Sequence, residues 1–204
     1  MSYYFTILSP TDVPLFNIAF GTSKSGGDGI ARFRFPDAAQ NTYMTQFIIN
    51  SSLDMLEEAQ WMNGNMYLKH IDTYPPASAY ISAFLTPSGT RFMLLHQPPQ
   101  PNIPASSTTS GAAGIMSMSL SASTSSSSTG GGLFGGSGSS GRTSSSSIAA
   151  NPTAPQTEEA VRQFMSEVYE GYVKTVMSPF YRRGMEIKSP VFRAKVSGAG
   201  RKWL

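Results

Sequence analysis

Residues 42–96 read TYMTQFIINSSLDMLEEAQWMNGNMYLKHIDTYPPASAYISAFLTPSGTRFMLLH, and this stretch decides the fold. From Met44 the apolar or small residues return as Met44, Phe47, Ile48, Ser51, Ser52, Met55 and Ala59. That is the i, i+3, i+4, i+7 spacing of one helical face, so the spacing predicts a single long amphipathic helix. Such a face needs a sheet to lie on. The sheet follows at once: Asn63-Gly64-Asn65 is a turn signal, and 66–74, 80–86 and 91–96 are short runs rich in strand-forming residues. Pro75-Pro76 closes the first run, and Pro87-Ser88-Gly89-Thr90 makes a hairpin loop between the other two.

Upstream, residues 3–8 are apolar, β-branched and aromatic without clean alternation, which suits a central strand covered on both faces. Ser9-Pro10-Thr11-Asp12 is turn chemistry, and 13–20 return as the second strand of a hairpin, with Phe16, Ile18 and Phe20 on one face. Downstream, Thr157 is placed to cap a helix whose first turn holds Glu158 and Glu159. Val161, Phe164, Met165, Val168, Tyr172 and Val176 share its inner face, and Ser178-Pro179 ends it. A last short helix is expected from Ser189, with Pro190 at its first position and Gly198-Ala199-Gly200 as its stop. The order predicts an α+β domain: a five-stranded antiparallel sheet between one helix and two C-terminal helices.

Residues 98–156 are rich in Ser, Gly, Thr, Ala and Pro and carry one charged residue, Arg142. Too little apolar surface is on offer there to offset the entropy of ordering it, so the segment reads as a disordered insertion. The single domain is expected at 1–97 and 157–204, about 145 residues, a size that buries roughly 70% of its unfolded surface in one core.

The 204 residues contain no cysteine, which excludes disulfides and thiolate metal sites. No basic and apolar leader with a cleavage site opens the chain, and no run approaches the ~20 apolar residues of a membrane span, so a cytoplasmic protein is expected. Asn50-Ser51-Ser52 fits the glycosylation pattern but falls inside the predicted helix, a chance match. The net charge of +3 conceals an asymmetry. Between Lys174 and Leu204 a series of lysines and arginines faces Glu186 alone, so an electrostatic partner belongs at that end.

Catalytic patterns are lacking. Residues 21–27 look briefly like a phosphate loop, but no Lys follows the second Gly and no helix opens there, so the segment up to Asn41 reads as a flexible connection. His70 and His96 both sit in predicted strands, with no carboxylate pattern near either to make a metal or nucleophile site. Glu57-Glu58 and Glu158-Glu159 are neighbours on helices, pointing about 100° apart, and suit solvated surface. The basic end, with Phe180, Tyr181, Phe192 and Trp203, has the composition of a single-strand binder. It is short, lacks a nucleic-acid motif, and spaces its aromatics as short-helix packing would. The chain reads as neither an enzyme nor a nucleic-acid binder, and it calls for no cofactor.

Several stretches resemble the sedlin family, small subunits of the TRAPP vesicle-tethering complexes. These are Tyr3-Tyr4-Phe5, Thr45-Gln46-Phe47-Ile48, Ser52-Leu53-Asp54, Trp61, Asn65-Met66-Tyr67-Leu68-Lys69, Ser82-Ala83-Phe84 and residues 91–96. After the insertion, Pro179-Phe180-Tyr181 and Phe192-Arg193-Ala194-Lys195-Val196 resume the pattern. The resemblance covers nearly all of the chain outside the insertion, in order. It implies a longin-like (SNARE-like) domain with the sheet and helices read above. It also implies a non-catalytic adaptor that joins the small core subunits to large ones, in assemblies that activate a Rab GTPase during ER-to-Golgi vesicle transport. Such a protein works in the cytoplasm, peripheral at ER, Golgi and vesicle membranes. The chain departs from the family at 98–156 and in the longer loop around 32–41.

An adaptor needs exposed side chains that its core does not use. Asn50, Asp54 and Trp61 fall on one line of the first helix, flanked by Phe47 and Glu57, and the family's acidic position matches Asp54. These five are the expected partner-binding residues, docking a large TRAPP subunit. The helix from Thr157 and the basic end from Tyr181 are further candidates, the latter with a weak attraction to anionic membrane. The alternative of another class is a longin-type coat small chain or a SNARE-like sorting module. A longin SNARE would carry a heptad helix and anchor after the domain, and none follows Leu204.

Overall fold

β1 (Ser2–Leu8) is buried along its whole length because both of its faces are packed. The computed structural model describes residues 1–22, 28–36, 41–99 and 153–204, with only the backbone of Asn41 and Thr42. Tyr3, Phe5 and Ile7 point into one apolar cluster, and Tyr4 and Leu8 into a second, the period-two consequence of an extended backbone. β2 (Pro14–Gly21) returns antiparallel beside it, with Phe5 opposite Ile18. β3 (Tyr67–Tyr74), β4 (Ala79–Leu85) and β5 (Arg91–Gln97) complete an antiparallel sheet in the order β2-β1-β5-β4-β3. β5 lies beside β1, with Phe5 opposite Leu94, so the two most apolar strands are central. A single 3₁₀ turn, Pro75–Ala77, links β3 to β4.

Two helical layers cover the two faces. On one, α1 (Asn41–Ser51) and α2 (Leu53–Met62) set Met44, Ile48, Ile49 and Leu56 against Tyr4, Ile81, Met93 and Leu95. On the other, α3 (Pro155–Val176) and α4 (Pro190–Trp203) bring Val161, Phe164, Met165, Val168, Tyr172, Phe192 and Val196 onto Phe5, Phe16, Phe92 and Leu94. Phe5 is the hub, edge-on to Phe164 at 5.3 Å and to Phe92 at 6.0 Å between ring centres. Pairs of this geometry contribute ~0.5–1.5 kcal/mol beyond the area they bury. The α+β architecture and the sheet between its helical layers are those read from the sequence.

Four local features differ from the sequence reading. The single long helix is two, joined at Ser52. There the Ser51 and Ser52 hydroxyls donate to the carbonyls of Ile48 and Ile49, each at 2.8 Å, a back-bonding pattern that bends helices. The buried stripe is also shifted: Ile49 and Leu56 are inside, while Phe47 and Met55 are outside. α3 starts at Pro155 with Ala154 as its N-cap, so Thr157 is not the cap, and Pro155 and Gln156 are helical. α4 runs through Gly198-Ala199-Gly200 to Trp203. Gly200 is there for a close approach: a Cβ on it would stand 2.7 Å from the Phe20 ring.

The expected disordered insertion at 98–156 lies outside the described residues except for 98–99 and 153–156. The loop expected to be a flexible connection is tied down where it is described. Ser2 Oγ donates to Arg32 O and accepts from Arg32 N–H, and the Gln97 amide does the same for Arg34, all at 2.8 Å.

Candidate docking face

The outer side of the α1–α2 layer carries side chains spaced four, three, four, three and four residues apart: Tyr43, Phe47, Asn50, Asp54, Glu57 and Trp61. All six are exposed, Phe47 by 59% and Trp61 by 90%. The stripe survives the joint because the backbone ladder passes through it. Ser52 N–H donates to Ile48 O at 3.1 Å, and Leu56 N–H donates to Ser52 O at 3.0 Å. Phe47 and Asn50 therefore stand on α1, and Asp54, Glu57 and Trp61 on α2, along one continuous surface.

Every partner-binding residue expected from the sequence lies on this face, although they are not equivalent. Glu57 is engaged, since its Oε1 accepts from Arg91 Nη2 at 3.0 Å. Arg91 is largely covered and also pairs with Asp12 in the β1–β2 turn, so the face is tied to the sheet through one guanidinium. Asp54 makes no ion pair among the described residues. The sequence reading missed Tyr43, Met55 and Met62, which extend the exposed apolar surface around Phe47 and Trp61. The buried stripe runs through Ile49 and Leu56, which turns Met55 and Met62 outward.

The family model for sedlin matches residues 7–202. The chain belongs to the sedlin family. It is 26% identical over 204 residues to the transport protein particle 20 kDa subunit of Schizosaccharomyces pombe, covering all of both chains. It is 26% identical over 203 residues to a probable trafficking protein particle complex subunit 2 of Drosophila melanogaster, covering 100% of this chain and 97% of the other. Against the trafficking protein particle complex subunit 20 of Saccharomyces cerevisiae the identity is 24% over 233 residues, with 100% and 99% covered.

Both sheet edges of this sedlin-family fold are interrupted. On β2, Leu15 O accepts from Ile187 N–H at 2.8 Å and Asn17 O from Arg193 Nη2 at 3.4 Å. On β3, the pairing slips between Tyr67 and Lys69 and again between His70 and Asp72, and Lys69 has φ +63°. Irregular edges of this kind discourage strand addition. The basic C-terminus is packed rather than loose. Lys202 Nζ and Trp203 Nε1 both donate to Glu167 Oε2, at 3.0 and 2.6 Å, which holds the Glu167 carboxyl below its usual range.

The histidines are structural in position. His70 Nε2 lies 2.8 Å from Thr73 Oγ1. His96 is buried between Tyr80, stacked at 5.6 Å, and Tyr3, at 6.2 Å, and neither ring nitrogen has a hydrogen-bond partner among the described residues. Among the described residues, no group of three or more His, Asp or Glu is placed to hold a metal, and no helix is long and apolar enough to cross a membrane.

Proposed function

We propose that this chain is a non-catalytic adaptor subunit of a TRAPP complex, holding a large subunit on its α1–α2 face and joining it to the small core subunits. In that role it supports tethering and Rab GTPase activation in ER-to-Golgi transport, working in the cytoplasm at ER, Golgi and vesicle membranes. Residues 1–97 and 157–204, together with the helical Pro155 and Gln156, act as one docking module. The observation that carries the reading is the stripe Phe47-Asn50-Asp54-Glu57-Trp61, exposed and, apart from the Glu57 pair with Arg91, unused by the fold, in a chain that matches trafficking protein particle subunits from end to end. Exposed aromatic side chains that the core does not need are what a protein interface draws on.

The test is a tagged purification of the full chain from its own cells, wild type beside Asp54→Lys, with mass spectrometry of what elutes in stoichiometric amount. Small and large TRAPP subunits with the wild type, and loss of a large one with a folded Asp54→Lys chain, are the expected result. Retention of every large subunit refutes the face. Recovery of clathrin-type coat chains instead establishes the longin coat reading.

A further inference from the structure

The α1–α2 face carries a charge pattern that the fold does not ask for. Residues 41–65, which span both helices, contain Asp54, Glu57 and Glu58 and no lysine, arginine or histidine, in a chain whose net charge is +3. Asp54 and Glu58 stand at i and i+4 on α2, one turn apart and both exposed, where like charges oppose each other and weaken a helix. Neither makes an ion pair among the described residues. Asp54 has a local reason, since it lies in the first turn of α2, where the helix dipole favours a carboxylate. Glu58 has none: it lies beyond that turn, and no basic residue stands in the last turn of the helix. Arg91, which reaches this face, is largely covered and divided between Glu57 and Asp12. The unbalanced pair sits amid apolar surface. Phe47 and Trp61 lie seven residues to either side of Asp54, and Met55 and Met62, three before and four after Glu58, are exposed as well.

We infer that Asp54 and Glu58 together receive a lysine or arginine of the large subunit, within an apolar contact made by Phe47 and Trp61. A cation set between the two carboxylates turns their repulsion into attraction, and charge complementarity of this kind selects a partner and fixes its register. The same charges turn other occupants away. Anionic membrane and nucleic-acid phosphates are repelled by a stretch that has carboxylates and no cation of its own. A metal ion would gain nothing from the aromatic flanks, and among the described residues no group of three ligands stands there to hold one. The inference rests on the adaptor reading; Glu58 joins the face, and the partner must bring a cation to it.

Tagged full-length chains, wild type, Glu58→Gln, Glu58→Lys and Trp61→Ala, are purified from their own cells at about 50 mM and about 300 mM salt, which changes the screening of exposed charges. Each isolated chain is also melted. Glu58→Lys pairs with Asp54 inside the helix, i to i+4, so the isolated chain should melt no lower than wild type. Its recovery of the large subunit should fall at least tenfold, the order that removal of an interface anchor gives. Loss of binding without loss of stability is what a residue serving the fold alone would not produce. Glu58→Gln keeps the side chain's size; its recovery should fall less, and should depend less on salt than that of wild type. If Glu58→Lys melts early, Glu58→Gln carries the test, and an unchanged recovery and salt dependence in it overturns the inference. Full recovery by Glu58→Lys, with loss by Trp61→Ala, shows a partner held by shape alone and overturns the inference while the face stands. A salt-sensitive dimer of the isolated wild-type chain that Glu58→Lys abolishes assigns the carboxylates to a second copy and overturns it as well. A wild-type chain that recovers no large subunit at either salt sinks the adaptor reading, and this inference with it.

Discussion

Arg91, the first residue of β5, donates from Nη2 to the Glu57 carboxylate on α2 across 3.0 Å, binding the outer helical face to the centre of the sheet. The same guanidinium reaches Asp12, so three elements meet at one side chain. Glu57 is more than half exposed, and breaking its share alone should cost under about 1 kcal/mol. Arg91→Ala also removes a largely covered side chain and should cost about 1–2 kcal/mol. Urea unfolding of the two single variants and the double variant gives the coupling; a loss with Glu57→Gln as large as with Arg91→Ala would contradict this division.

Trp61→Ala separates binding from stability. With the indole 90% exposed, unfolding free energy should stay within about 0.5 kcal/mol of wild type. Retention of a large subunit should fall at least about 30-fold if Trp61 anchors that interface. Denaturant titration and quantitative recovery of the complex check the two halves. A Trp61→Ala chain that melts early would place the indole in the fold instead.

Burial pushes the His96 imidazole down to about 4, and the nearby His70 adds to the shift. Above pH 6.5 the ring is neutral in both folded and unfolded chains, and its stabilisation is complete. Between 6.5 and about 4 the unfolded chain takes up the proton and the folded chain does not, so stability falls as the pH falls. The loss reaches about 3 kcal/mol below that window. The stability of His96→Phe relative to wild type should therefore rise by that amount between pH 7 and pH 4 in urea titrations. A gap that is constant with pH would show that His96 has found a partner for its charged form.

Gly200→Ala tests the contact between α4 and β2. The added methyl meets a Phe20 ring that is held by Tyr3 at 5.6 Å and Phe164 at 5.9 Å, so it cannot swing away freely. Overpacking of this kind costs ~1–3 kcal/mol. Thermal melting should show the loss, and adding Phe20→Leu should restore part of it; no recovery would place the strain elsewhere.

The sheet and both helical layers were legible because period-two and 3.6-residue patterns persist over whole elements. The joint at Ser52 was not, since two serines whose hydroxyls bond back to Ile48 and Ile49 leave the apolar spacing undisturbed. Gly198-Ala199-Gly200 looked like a helix stop because a lone sequence cannot show that Phe20 will press on Gly200. At the candidate face, Asp54 and Trp61 could be read from spacing. Phe47 fitted both the inner and the outer stripe until Ile49 and Leu56 proved to be the buried neighbours. The Arg91 link was beyond reach: its partners are 34 and 79 residues away, and nothing local announces them.

Contacts from the α3–α4 connection and from α4 to β2, and the bulges of β3, interrupt both edges of the sheet, which restricts how this chain can meet other proteins. A partner that cannot extend the backbone ladder has to be chosen by side chains on helices and turns. Ladders accept almost any sequence, whereas a face such as Phe47 to Trp61 accepts only a matching shape. Allegiance can then be redrawn by a handful of surface substitutions while the core stays as it is, which lets one scaffold serve assemblies of different composition.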